Sequence, residues 1–447
     1  QLQLLHPHQH AYRRGMGTGT AILRLLNLIE DSTESGAPLL VTAWDIKRAF
    51  DSIPHPFIRL ALQRLGISAA TADWFLYPLQ HNIVTVQSPL VQAQDTLTFT
   101  TDPATFIDSP HNCPLAASFH QDRGIGQGDT PSAIFWVVLY DVLLCMLDVP
   151  PATTSGHFLA RGPAGTLYAA GNISYADDLC TPAGTLALSQ HHADIVSTFC
   201  AATTLTIAAN KVLAFALNSS QPQRLTLHDW SWTEHDIPFS DTGVAMTYLG
   251  LDSAHHLGDA AAHATTTTVI RAGSTALQHR IASPACKLDV TLMQLFPKVL
   301  YPAAKTCWSL RDYQQLDSTL APLLKHTSRY MHATATDMLF FPSSHGGTGQ
   351  HKLSDLAQTR KWSELRRALA TPGEAALAAH GLLERGLRQV EYISLPAITR
   401  HFPVTNHQFL RCHVGSLIEW GAAAHCTLAV SPAITLLPAD TPITPFL

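Results

Sequence analysis

Two adjacent carboxylates inside an apolar run constrain this chain more than any other feature. They sit in Ile173-Ser174-Tyr175-Ala176-Asp177-Asp178-Leu179, with an aromatic two residues ahead of the first acid. Like charges this close raise each other's pKa unless a cation neutralises them. A hard divalent ion such as Mg2+ prefers carboxylate and phosphate oxygens and is suited to that role. In an extended strand, neighbouring side chains point to opposite faces. Both acids can therefore face one ion only if a turn falls at this point. Asp177 ranks as the first ligand and Asp178 as the second. The competing reading is a solvated Asp-Asp turn on a surface loop.

A second acidic motif lies upstream. Leu39-Leu40-Val41-Thr42-Ala43-Trp44 is a β-prone apolar run, and Asp45-Ile46-Lys47-Arg48-Ala49-Phe50-Asp51-Ser52-Ile53 follows it with a helical character. Asp45 then stands at a strand terminus and Asp51 opens the next turn. Such a carboxylate is placed to meet one from a distant hairpin. Asp45 and Asp177 together could bridge two metal ions in an in-line phosphoryl displacement.

With these residues in hand, the chain resembles the reverse transcriptases of non-LTR (LINE-type) retrotransposons. Asp45 to Ile53 is similar to that family's first catalytic motif, and Gly124-Ile125-Gly126-Gln127-Gly128-Asp129 to its Gln-Gly motif. Tyr175-Ala176-Asp177-Asp178 matches every fixed position of the Tyr-x-Asp-Asp box. Thr204-Leu205-Thr206-Ile207 with Asn210-Lys211, Tyr248-Leu249-Gly250, and Gly346-Gly347-Thr348-Gly349 resemble the motif that follows, the primer grip, and a glycine element beyond the thumb. Each box is short, and their weight lies in the shared order over about 300 residues. The last hundred residues carry no match.

The resemblance implies an α+β fold with right-hand polymerase architecture: partial fingers, a palm with an antiparallel sheet, and a helical thumb. It implies two Mg2+ (or Mn2+) ions held by Asp45, Asp177 and Asp178, with an RNA template, a DNA primer and dNTPs as partners. Phe50 matches the steric-gate position that crowds a ribose 2′-hydroxyl; its alternative is ordinary core packing. Gln127 and Gly128 would lie against the templating pair, and Tyr175 beside the substrate. Lys211 would act near the leaving pyrophosphate as charge partner or proton donor, or else be a surface lysine. Two other functions share these motifs: an inactive retroelement relic, and an RNA-directed RNA polymerase, which Phe50 and Ala176 argue against.

Composition sets bounds. At 447 residues the chain can form two or three domains with real cores. Its 46% hydrophobic and 14% charged content is that of a globular protein. Eight cysteines without a Cys-x-x-Cys pair fit reduced thiols in an intracellular protein of nucleus or cytoplasm. Cys412-His413 and His425-Cys426 offer zinc ligands at an unusual spacing. The 25 histidines are spread widely and look like compositional drift. The net charge of −5 sits poorly with a phosphate-gripping protein. However, the stretch from Arg271 to Ala370 carries +7, leaving −12 elsewhere. Lys287, Lys298, Lys305, Lys325, Arg329, Arg360, Lys361, Arg366 and Arg367 are its candidate duplex-facing cations.

The chain divides by pattern into partial fingers (1–38), palm with interleaved fingers (39–254), helical thumb (255–340) and a C-terminal helical extension (341–447). Ile22, Leu25, Leu26 and Ile29 form the apolar face of an early helix. Residues 55–80 read as helical, 83–86 and 96–99 as a strand pair, 101–122 as a loop, and 212–217 as a strand. Thr130 caps a helix opened by Pro131. The apolar run after it is broken by Asp141 and too short for a membrane span. The family's first fingers motifs, which carry basic residues for the incoming triphosphate, have no counterpart. Arg13, Arg14 and Arg24 are the candidates to stand in for them. No nuclease is legible, and a truncated genomic copy accounts for both gaps.

Overall fold

The computed structural model describes residues 5–81, 83–87, 116–120, 123–126, 129–148, 156–219, 224–229, 233–240, 246–253, 260–389 and 412–423. Its centre is a four-stranded antiparallel sheet. The strands are β1 (Leu39–Trp44), β6 (Ile173–Tyr175), β7 (Asp178–Ala183) and β8 (Leu213–Leu217), ordered β6-β7-β1-β8. All six residues of β1 are buried, which explains an apolar run without alternation. Leu40 and Trp44 face one core, and Leu39, Val41 and Ala43 face another.

The first core is built on two long helices, α5 (Thr130–Leu147) and α6 (Leu186–Thr203). Trp136, Tyr140, Leu143 and Leu144 of α5 are fully buried, so its apolar run is a core helix. No helix among the described residues is long and apolar enough to cross a membrane. Asp129, not Thr130, takes the cap position, one residue earlier than expected, and Pro131 lies in the first turn. Three short helices join this core from residues 49–80: α2 (Ala49–Ser52), α3 (His55–Arg64) and α4 (Ala69–Gln80). They match the helical reading of 55–80.

The second core faces α1 (Thr18–Ser35), in which every residue from Thr20 to Ser32 is buried. The expected apolar face covers one side only. The other side is polar: Asn27, Glu30 and Asp31 are buried against α12 (Glu374–Gln389). There Arg385 reaches Glu30, Asp31 and Glu34 at 3.2, 3.2 and 3.1 Å. Burial pushes the Glu30 carboxyl above its usual range, with Arg385 pulling it back.

The remaining strands form two-stranded ribbons. Strand β2 (Ile83–Gln87) pairs with β3 (Ala116–His120), in a stretch read from sequence as loop. The partner expected for it, 96–99, lies outside the described residues. The other ribbons are β4 (Leu159–Arg161) with β5 (Leu167–Ala169), β9 (Arg224–His228) with β10 (Glu234–Pro238), and β11 (Met246–Tyr248) with β12 (Leu251–Ser253).

Residues 260–327 are helical. They comprise α7 (Ala260–His279), α8 (Pro284–Val290), a π-helical turn (Thr291–Leu295), α9 (Phe296–Ala303) and α10 (Leu310–Thr327). Their own core includes Trp308, Tyr313, Leu316 and Leu323. Helices α11 (Leu353–Leu369) and α13 (Gly415–Ala423) pack with α12 and α1.

Arg385 gives the first prediction. Arg385→Met keeps the bulk but leaves Glu30 and Asp31 buried without a counter-charge. Removing one partner of a buried ion pair costs about 3–5 kcal/mol. A urea denaturation series should show a loss of that order, whereas Arg224→Met, from an exposed pair with Asp236, should cost less than about 1 kcal/mol.

Candidate active site

The two carboxylates sit where the sheet turns. Strand β6 ends at Tyr175 and β7 begins at Asp178, so Ala176 and Asp177 form a two-residue hairpin connection. The turn that two adjacent acids require therefore falls at the required place. Ala176 adopts φ 56, a left-handed conformation that costs an L-residue roughly 1–2 kcal/mol. Gln9 holds it there: its Oε1 accepts from the Ala176 amide at 3.0 Å, and its Nε2 donates to the Ala176 carbonyl at 3.3 Å. The segment around Gln9 lies on the free edge of β6, with His10 N–H donating to the Ser174 carbonyl and Ser174 N–H to that of His8. Gln9 is fully buried. Nothing in the sequence marked it, because one glutamine has no periodicity.

Strand register brings Asp45 to the hairpin. Trp44 pairs with Leu179 across β1 and β7, so the next step along each strand sets Asp45 opposite Asp178. Trp44 Nε1 donates to Thr181 Oγ1 at 3.0 Å and pins this register. Burial raises the Asp177 carboxyl above its usual range, and the Asp45 charge adds to it. Asp178 is pushed up to about 6, by lost hydration first, then by Asp177 and Asp45. Its outer face is exposed, yet enough protein surrounds it for desolvation to lead. The tyrosine hydroxyl of Tyr140, in the core behind, donates to the Asp177 carbonyl at 3.3 Å.

Lys211 also comes to this site. Its Nζ stands 3.0 Å from Asp45 Oδ2, with the lysine side chain 64% exposed. The loop before it docks through Lys47 N–H to the Thr206 carbonyl and Ala208 N–H to the Asp45 carbonyl, at 2.8 and 2.9 Å. An exposed pair of this kind contributes about 0–1 kcal/mol and yields readily to a stronger cation. Three acids with one weakly held lysine make an oxygen-rich set with excess negative charge, which fits a hard divalent ion.

Phe50, on α2, is half-buried and stacks on Trp136 with ring centroids 5.4 Å apart; Trp136 stacks in turn on Tyr140 at 5.2 Å. Its backbone carbonyl accepts from Ile125 N–H at 2.8 Å, so the Gly124 segment lies against it. Gly124 has φ 84, and an added Cβ would stand 2.7 Å from the Asp51 carbonyl oxygen. Only glycine fits there. Gln127 and Gly128 lie outside the described residues. Tyr175 is half-buried on the hairpin, and the exposed Tyr12 phenol is raised by desolvation and by the nearby Tyr175 and Asp177. Sequence reading missed Tyr12 as a rim residue of this site.

Other motif residues lie in tightly packed turns. Tyr248, Leu249 and Gly250 make a tight turn with φ of 50 and 71 at Leu249 and Gly250. The Tyr301 hydroxyl donates to the Leu249 carbonyl at 2.6 Å. Gly347 packs so closely that a Cβ would meet the Phe341 carbonyl at 2.0 Å. Arg24 is buried, paired with Glu374 and 3.1 Å from His10 Nε2, so it cannot stand in for a triphosphate-binding residue. Arg13 donates to the His6 carbonyl at 2.7 Å. Cys412 and His413 are buried on the α1–α12 side, with His413 N–H donating to Glu30, and their expected partners lie outside the described residues.

Three of the nine candidate duplex-facing cations point inward. Lys305 is 1% exposed and makes two 2.9 Å bonds to Glu364. Lys361 donates to the Thr306 carbonyl and to Ser416, and Lys287 to the Gln278 carbonyl. A buried ammonium needs such partners, and charge counting cannot distinguish it from a surface one. Lys298, Arg329, Arg360, Arg366 and Arg367 are exposed, and Lys325 is half-buried.

No family model matches the chain. A curated relative, the retrovirus-related Pol polyprotein from type-1 retrotransposable element R2 of Popillia japonica, is 23% identical over 358 residues. That alignment covers 79% of this chain and 45% of the relative. The chain thus spans about half the length of the curated relative it matches, and its resemblance to non-LTR retrotransposon polymerases holds over most of its length. Among solved structures, a telomerase from Candida albicans bound to a telomeric RNA fragment aligns with TM-score 0.29 and 10% identity, covering 80% of this chain and 52% of that one. An apo telomerase from Candida tropicalis aligns with TM-score 0.33 and 11% identity, covering 89% and 56%.

The acidic cluster predicts a titration. Without divalent cations, Asp178 should titrate near 6 by carboxyl NMR, against an ordinary 3.8. Its folded value lies above the unfolded one, so its contribution to stability is greatest below the unfolded value and is lost as pH rises through about 6. Saturating Mg2+ should lower the midpoint, and Asp177→Asn should lower it without metal. A midpoint that ignores both would contradict the shared-charge site.

Proposed function

We propose that the chain is the reverse transcriptase core of a retrotransposon polyprotein, an RNA-directed DNA polymerase extending a primer on an RNA template. The observation that carries this reading is the strand register that sets Asp45 beside the 177–178 hairpin at one end of the antiparallel sheet, from motifs in the order of that polymerase family. In this reading the sheet is the palm and helices α7 to α10 the thumb. The R2 relationship supports the family.

Asp45, Asp177 and Asp178 would hold two Mg2+ ions, whose chemistry when bound is to polarise the primer hydroxyl and neutralise charge on the transferring phosphoryl group. The chain's own residues do the rest. Gln9 and Tyr140 fix the hairpin so that the acids are aimed before substrate arrives, which saves reorganisation. Lys211, weakly paired with Asp45, would be free to meet a leaving pyrophosphate once cations were bound. Phe50, braced by stacking on Trp136, would be the residue that crowds a 2′-hydroxyl. Tyr175 and Tyr12 flank the hairpin with apolar surface for a nucleotide or primer terminus.

Primer extension on an RNA template tests this directly. The chain should incorporate dNTPs in the presence of Mg2+ and not rNTPs. Asp177→Asn should lower the rate by on the order of 10³-fold, about 4 kcal/mol of transition-state stabilisation. Phe50→Ala should admit rNTPs while dNTP incorporation persists. No extension by a well-folded protein would favour the relic, and extension with rNTPs by the unaltered chain would favour an RNA polymerase.

A further inference from the structure

His6, His8 and Asp148 gather in a second cluster of ionisable side chains. They come from the N-terminal segment and from the residue that follows α5. A turn closed by Gln9 N–H on the His6 carbonyl at 3.1 Å, with Pro7 in its first central position, folds the two imidazoles together. Their ring centroids are 4.7 Å apart at 67°. His6 Nε2 lies 2.7 Å from Asp148 Oδ2, and His8 Nδ1 lies 3.4 Å from Asp148 Oδ1. One ligand atom from each of the three residues falls within 4.8 Å of the others.

The protonation pattern of His8 is the informative part. Its side chain is buried, only 9% exposed. Nε2 sits 2.8 Å from Glu374 Oε1, a carboxylate that can only accept, so Nε2 carries the hydrogen. A neutral ring then has a bare Nδ1. That atom is buried and makes no hydrogen bond. It faces the Asp148 carboxylate 3.4 Å away; burial opposes charge on the ring, but Asp148 and Glu374 raise its pKa, so the gap favours a cation, either a proton or a metal ion. A histidine whose far nitrogen donates to a carboxylate is also the usual form of a metal ligand, because the second carboxylate fixes the tautomer and raises basicity.

We propose that His6, His8 and Asp148 bind one divalent transition ion of the zinc class, with Glu374 orienting His8. Two imidazoles and a carboxylate are the donors such an ion accepts, with water completing four-coordination. Asp148 is 39% exposed and leaves that position open to solvent. A tetrahedral ion with bonds of about 2.0–2.2 Å needs donors roughly 3.3 Å apart. His6 and Asp148 therefore part slightly and the rings close in. Loading Nε2 of His6 moves its hydrogen to Nδ1, so the ion would replace the 2.7 Å contact with Asp148 and the 3.3 Å contact from the His8 amide would be given up. The bound ion staples to the end of α5 the segment whose next residue, Gln9, holds the Ala176 turn. It is distinct from the Mg2+ set in donors and in place.

The test uses the full chain stripped with chelator and titrated with Zn2+ by calorimetry in excess Mg2+, alongside a long-range proton–nitrogen spectrum of the histidines. One equivalent should bind, and the metallated nitrogens should be His8 Nδ1 and His6 Nε2. Asp178→Asn should leave this binding intact. Glu374→Gln should weaken it by about 10–100-fold, and His8→Gln should abolish it. If the wild-type spectrum shows His8 protonated on both nitrogens and unchanged by Zn2+, a proton fills the gap and the metal site is overturned. The same holds if Asp178→Asn removes the binding. The spectrum is read on the wild-type protein, so a variant that fails to fold does not obscure the outcome.

Discussion

Three like charges held together at the end of a sheet are the constraint around which this protein is arranged. Asp45, Asp177 and Asp178 repel one another, and the fold brings them together all the same. The opposing forces are visible in the surroundings: apolar helices α5 and α6 bury one face of β1, and α1 with the β4–β5 ribbon covers the other. A strand buried on both faces cannot slip, since a shift of one residue would send Trp44 and Asp45 to the wrong sides. The Trp44–Thr181 hydrogen bond adds a specific lock. Repulsion is thereby supported by burial elsewhere.

The strain is local and braced. Ala176 in the left-handed region is a cost that a glycine would avoid, and Gln9 meets both of its backbone groups. Strain of this kind persists where surroundings over-determine it, and it clusters at functional sites. The N-terminal segment thus acts on the site without contributing a carboxylate. It is itself tied down by Arg24, His10 and Glu374, a buried polar cluster linking α1 to α12.

Much of this was legible in the sequence, for physical reasons. Adjacent acids in an apolar run demand a turn, and the turn lies at Ala176–Asp177. A β-prone apolar run ending at Asp45 reads as a strand, and β1 is one. Helix α5 read as core because Asp141 interrupts it. What sequence could not show is pairing across distance. The partner of β2 lies at 116–120, in a stretch with loop-like composition. Lys305 and Lys361 count as basic in any tally, yet Lys305 is paired with Glu364 and Lys361 donates to the Thr306 carbonyl and Ser416, all groups 55 or more residues away inside the protein. His6 and His8 looked like two of many histidines until Asp148, some 140 residues on, met them.

The most direct measurement is anomalous diffraction from crystals soaked in Mn2+, which reports where a divalent ion sits and what holds it. Density is expected between Asp45 and the 177–178 hairpin, with Lys211 moved off Asp45. Mn2+ density confined to other parts of the molecule, with the Lys211–Asp45 pair still closed, would contradict a cation site built on these three acids.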